Sequence, residues 1–237
     1  MCPGSSHGAC GLFVRFVLST YLSRCRTYQY SGIDVKVVVL NWCNYQGLGE
    51  WYVDRLRYML ASHLRLPYEF TVVTENDLPP GRAGWFNKLT LLEMFDGEVL
   101  YLDLDIDIRH NIDELIELGR TDPEKIWARN DFSYPVSSDA KVQGNGYAGP
   151  LMHNGREATI NSSVMYWNGK KDMSGAEALI ASTHGDQGII TRLFWPDGIR
   201  LFPDHLIKSY RYHVLQGLGV GSITLYHGSP KPHDLAW

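Results

Sequence analysis

The sequence is short of cysteine, of basic charge and of long apolar runs, and each shortage removes a class of protein. Its four cysteines, Cys2, Cys10, Cys25 and Cys43, lie in the first fifth of the 237 residues, and no two form a C-x-x-C pair. A disulfide framework or a zinc site is therefore not expected, and a reducing cytosol is the easier setting. Lysine and arginine together number 22 against 26 acidic residues, for a net charge of −4. A general nucleic-acid binder would push that balance basic, and no basic run reads as a polybasic tail. The one candidate for membrane or targeting use is Gly11–Leu22. It is about half the roughly 20 residues that a spanning helix needs, and Arg15 interrupts it. No basic residue precedes it, so a secretory signal is poorly supported, and peripheral membrane contact is the most it would give.

What is present suits one α/β domain: 44% hydrophobic residues and 12% aromatics can fill a core. Residues 1–33 read as a peripheral helix, a weak interfacial anchor or an upstream extension, and the organised pattern, the domain proper, spans 34–237. "DVKVVVLN" is a β-branched run and predicts a buried strand. "EWYVDRLRYMLASHL" places Trp51, Leu56, Met59, Leu60 and Leu64 at helical spacing, with Arg55 and Arg57 facing elsewhere. "EFTVVTE", "WFNKLTLLEMF" and "EVLYLDLD" continue as strand, helix and strand. This alternation predicts a doubly wound, mostly parallel sheet flanked by helices. Further on, "NIDELIELG" reads as a helix and "KIWARND" as a strand. Residues 131–158, rich in Gly, Ser, Asn and Pro, read as a lid or binding loop. "TINSSVMYWN" and "SITLYHG" are strands, with helices at "SGAEALIAST" and "GDQGIITRLF" between them.

The chemistry concentrates in "VLYLDLDIDIRHN", Val99–Asn111, where an apolar strand runs into Asp103, Asp105 and Asp107. Ligands of parallel α/β sheets bind beyond the carboxyl ends of strands, which is where these acids arrive. Strand periodicity puts Asp103 and Asp105 on one side. Two carboxylates so close repel unless a positive group sits between them, and Mn²⁺ or Mg²⁺ answers that need. An isolated D-x-D is short and common, and a strand-end cap or solvated turn, with Asp107 facing water, is the competing reading. The apolar lead-in favours the metal.

"VLYLDLDIDIRHNIDEL" resembles the D-x-D segment of GT-A glycosyltransferases, especially the retaining family 8 enzymes. In the same order, "FNKL" resembles the helix carrying a donor-binding lysine, "INSSVMYWN" the family's "FNAGVM" strand, "GDQG" its D-Q segment and "YHGSPKPHD" its closing "HFxGxxKPW". The resemblance covers about Asp34 to Asp234. It implies a single GT-A (Rossmann-like) domain and sugar transfer from a UDP-sugar to a glycan or lipid-linked acceptor, with retention. It implies Asp103, Asp105 and His227 as metal ligands, and Lys231 and the Gly228 backbone beside the donor diphosphate. Asn41 and Tyr45 match positions at the nucleotide base. Lys88, Asn161, Ser162, Asp186 and Gln187 match positions lining the donor sugar, with Asp186 or Gln187 steadying the reacting carbon. Ser162-Ser163 stands where Ala-Gly is usual, and His233 replaces the terminal Trp.

Each residue also has a plainer role open to it. His227 could be a hydrogen-bonded structural residue, Asp186 a helix N-terminal acid, and Lys88 a surface charge. Trp51, Tyr52, Trp85 and Phe86 read as core rather than sugar platforms, and His205, His213 and Tyr210–Tyr212 are weaker candidates for facing an acceptor. Two other functions compete: a metal-dependent nucleotidyltransferase or nucleotide-sugar hydrolase on the same fold, and a catalytically silent binding module. "NWCNYQGLGEW" lacks the basic residues that nucleotidyl transfer would want in an activating loop.

Overall fold

The structure, a computed structural model, describes residues 35–235 except 81, 83, 134, 137–140, 143–150, 154–155 and 184. The three readings of residues 1–33 lie outside the described residues. The order begins β1 (Val35–Asn41), α1 (Gly49–His63), β2 (Tyr68–Thr74), α2 (Asn87–Met94), β3 (Glu98–Leu102) and β4 (Ile106–Ile108). It continues with α3 (Asp113–Thr121), β5 (Ile126–Asn130) and three short strands, β6 (Lys141–Val142), β7 (Leu151–His153) and β8 (Arg156–Glu157). Then come β9 (Ile160–Asn168), α4 (Ala176–Ile180), α5 (Asp186–Phe194), β10 (Ile199–Leu201), β11 (Ile207–Ser209) and β12 (Ile223–Leu225).

The central sheet has the order β10-β5-β9-β3-β1-β2. Strands β1–β2, β1–β3 and β10–β5 pair parallel, while β9 runs antiparallel to both β3 and β5. Its alternating side chains divide between two cores, as a period of two requires. Val35, Val37, Val39, Leu100, Leu102, Val164 and Tyr166 pack with Tyr52, Leu56 and Leu60 of α1 and Leu115 and Ile116 of α3. Val38, Val99, Tyr101, Met165 and Trp167 pack on the other face with Leu89 and Leu92 of α2 and Ile189 and Ile190 of α5. Burial on both faces explains why these strands read as continuous apolar runs.

A second sheet of three strands has the order β11-β12-β4. The third strand stops at Leu102, so Asp103 to Asp105 form the link between the sheets rather than the strand's end. Strand β4 then pairs antiparallel with β12, Asp107 opposite Thr224. Within residues 131–158, the stretch read as a lid or binding loop, β6, β7 and β8 form a small sheet, and much of the rest lies outside the described residues. Among the described residues no helix is long and apolar enough to cross a membrane.

Candidate active site

Three elements deliver side chains to one edge of the central sheet. Strand β3 runs parallel to β1 and ends at Leu102, so Asp103 follows at the carboxyl edge. Strand β9 is antiparallel to β3, so its beginning, Asn161 to Ser163, arrives at the same edge, and Asp103 N–H donates to Ser163 O at 2.8 Å. The end of β12 supplies Tyr226 to Lys231, and the N-terminus of α5 supplies Asp186 and Gln187. These residues line a cavity of about 450 Å³ with Trp85, Lys88, Asp105 and Gly185. All the site residues expected from the sequence lie along it except Asn41 and Tyr45. Tyr45 reaches the cluster nonetheless, since its hydroxyl donates to Asp105 Oδ2 at 2.8 Å. Asn41 ends β1 and packs its amide against Gly49, where a Cβ would lie 2.1 Å from Asn41 Oδ1.

Between β1 and α1, Cys43, Asn44 and Gln46 all have φ near +50°, at 49°, 50° and 56°. Left-handed backbone at several non-glycine residues is costly and collects at functional sites. This strained turn is the one that carries Tyr45 to Asp105.

Each acid of the D-x-D has an ammonium partner. Lys88 Nζ lies 2.9 Å from Asp103 Oδ1 and 3.7 Å from Asp186 Oδ2, and Lys231 Nζ donates to Asp105. Lys88 is buried, which corrects its reading as surface charge. Burial alone would lower its pKa, but Asp103 and Asp186 raise it above the ordinary lysine range. Burial works against the Asp103 carboxylate too, and Lys88 with the Tyr101 hydroxyl outweighs it, holding the group below the usual range. Ser162 Oγ donates to Asp186 at 2.5 Å and accepts from Lys88 at 3.3 Å, so the serine in place of a small apolar residue joins the ion cluster.

His227 differs from its neighbours: its Nε2 is buried and meets no hydrogen-bond partner. Burial drives its pKa down, against the pull of Asp105, Asp131 and Asp103, so the ring is neutral near pH 7. Gln187 Oε1 is likewise buried and unpartnered. Unpartnered buried polar atoms are rare in folded proteins, and two of them line this cavity. Among the described residues no three acidic, histidine or cysteine groups are gathered into a metal centre as they stand.

Asp107 corrects the expectation of a water-facing acid. It is 2% exposed and accepts from Arg55, from Arg109 Nη2 at 2.5 Å and from Tyr226 Oη at 3.1 Å. Arg55 also donates to Ile106 O at 2.7 Å, so it faces inward from α1 rather than away. Burial and Asp107 push the Tyr226 hydroxyl up to about 12. Trp85 departs as well: Tyr52 is core, and Trp51 and Phe86 pack against it, but the Trp85 indole is 61% exposed on the cavity's wall. Tyr226, Trp85, Ser163 and Gly185 are the lining residues that sequence reasoning did not place in the site. Only the adjacency of Tyr226 to His227 could have signalled the first. His205, His213 and Tyr210–Tyr212 do not line the cavity.

No protein-family model matches the chain, and no curated protein does. Solved structures do. The chain resembles the galactosyltransferase LgtC at 19% identity and a TM-score of 0.56, over 83% of this chain and 88% of that one. It resembles the glycosyltransferase GlyE of Streptococcus pneumoniae at 16% identity and 0.56, over 85% and 56%. Against mouse xyloside xylosyltransferase 1 the values are 15% and 0.52, over 83% and 98%. The chain has the GT-A glycosyltransferase fold. The cavity lies where the D-x-D link leaves the central sheet for the second one, beside the segment that follows β12.

Proposed function

We propose that the chain is a metal-dependent glycosyltransferase that moves a sugar from a UDP-sugar to a hydroxyl of a glycan or lipid-linked glycan, with retention. The observation that carries this reading is the convergence of Asp103, Asp105, His227, Lys231, Asp186 and Gln187 on one cavity of a GT-A fold. Asp103, Asp105 and the unpartnered Nε2 of His227 would hold Mn²⁺ or Mg²⁺. Two carboxylates and a neutral imidazole are a fitting donor set for either ion. When bound, such a cation supplies charge stabilisation at the departing diphosphate.

The chain's own residues account for the rest. Lys231 turns an ammonium towards the same charge, and charge stabilisation on a leaving group is usually the largest catalytic contribution. Gly228, with φ of 67° and open space at its Cβ position, lets backbone approach the diphosphate. Tyr45 and Asn41 bound the base end. Lys88 and Ser162 fix Asp186, while Gln187 keeps an unpartnered carbonyl for the sugar. Retention asks for no strong general base.

Calorimetry of UDP binding with and without Mn²⁺, followed by a panel of UDP-sugars scored for slow hydrolysis, tests the reading. Cation-dependent UDP affinity that falls at least about tenfold in Asp105→Asn, with turnover falling about a hundredfold, is expected. UDP affinity indifferent to Mn²⁺, or unchanged in Asp105→Asn, would overturn it.

A further inference from the structure

We infer that Trp85 is a stacking platform for a pyranose ring at this cavity, and so a determinant of which sugar is accepted. The inference rests on the glycosyltransferase reading and deepens it. A pyranose has hydroxyls around its edge and a flat face of C–H groups, so a site for one needs polar groups in the plane of the ring and an apolar wall across its face. The cavity's polar side is well supplied by Asn161, Ser162, Asp186 and Gln187, the last with its carbonyl unpartnered. Its aromatic side is sparse. Tyr226 is 3% exposed and stacked on Tyr210 at 4.8 Å between centroids, so its face is taken. The His227 ring packs on Phe132, 5.1 Å between centroids.

That leaves Trp85, with 61% of its surface open. An indole is costly to leave in water and, being flat, rigid and large, loses little freedom on covering a ligand face. A scattered surface aromatic needs no special explanation. This one stands on the wall of the polar cavity, held by the turn before α2 that also sets Lys88. Its neighbour is Gly185, whose φ of 127° and missing side chain bring the start of α5 close. A Cβ there would lie 3.6 Å from Trp85 Nε1. The indole therefore stands beside the start of α5, whose Asp186 and Gln187 line the same cavity and would take hydroxyls at the rim of a ring stacked on it.

The donor sugar and the acceptor sugar share this chemistry, and the test separates them. Calorimetry would compare UDP, UDP-glucose, UDP-galactose and free methyl galactoside and lactose, on wild type, Trp85→Ala and Trp85→Phe, with circular dichroism confirming the fold. The expected result is UDP affinity within about twofold of wild type in Trp85→Ala. Affinity for at least one sugar-bearing probe should fall about tenfold, or about 1.4 kcal/mol, and be largely restored in Trp85→Phe. Loss confined to UDP-sugars assigns the platform to the donor, and loss confined to free glycosides assigns it to the acceptor. Unchanged binding of every sugar-bearing probe, no sugar-bearing probe bound by wild type, or equal loss for UDP itself would overturn the inference. Trp85-dependent glycoside binding without any UDP affinity would leave the platform standing and remove the UDP-sugar reading. Mn²⁺-dependent UDP binding with no role for Trp85 would do the reverse.

Discussion

At His227 burial outweighs the pull of three carboxylates, and the sign of that balance is measurable. A histidine in the unfolded chain titrates near about 6.5, whereas the folded ring sits lower. Below about pH 6.5 the unfolded state therefore binds the extra proton, and stability attached to the neutral ring is lost as pH falls. Urea unfolding of the wild type should show stability declining from about pH 7 to about pH 5.5. His227→Asn should show a flatter profile over the same window. Equal slopes in the two proteins would contradict the assignment. Much of the residue-level chemistry was legible in the sequence, because D-x-D, D-Q and His-Gly-x-x-Lys-Pro are local patterns read in order. The partners were not. Nothing near Asp107 in the chain announces Arg55, 52 residues away, and nothing near Lys88 announces Asp186.

Among the elements, helix α3 shows how closely the layers are set. Gly119 lies in its last turn, and a Cβ there would meet the Tyr166 ring of β9 at 2.2 Å. Alanine gains at most about 1 kcal/mol over glycine inside a helix, while overpacking a closed contact costs about 1–3 kcal/mol. Overpacking wins, so Gly119→Ala should lower the urea midpoint with an unchanged m-value. A raised midpoint would show that the layers can part cheaply. The long strands were legible because burial on both faces makes continuous apolar runs. The three-residue strands β4, β10 and β11 were not, since so few residues carry no period. In β4 the central position is an acid, which reads as a solvated turn until its arginines are placed. Trp85 was illegible for a related reason: an aromatic before an amphipathic helix has the same pattern whether it faces the core or a cavity.

Across the whole molecule, Asp107 fastens the second sheet to the first layer. Arg55 reaches it from α1, Arg109 follows β4, and Tyr226 comes from the end of β12, with Tyr226 O accepting from Lys231 Nζ at 3.0 Å. Removing one side of a buried ion pair costs about 3–5 kcal/mol, more than the pair itself contributes, because the remaining charge has lost its counter-ion. Asp107→Ala should therefore unfold at markedly lower urea, and the double variant Arg55→Met with Asp107→Leu should lose less. Equal losses in the two would mean that the charge balance is not the reason. The tie also bears on how the protein breathes. Asp103 is sewn to β9 through its amide, whereas Asp105 answers to the turn after β12 through Lys231. Any ligand that engages both acids at once consequently splints the joint between the two sheets, and amide hydrogens in β4 and β12 should then exchange with solvent more slowly.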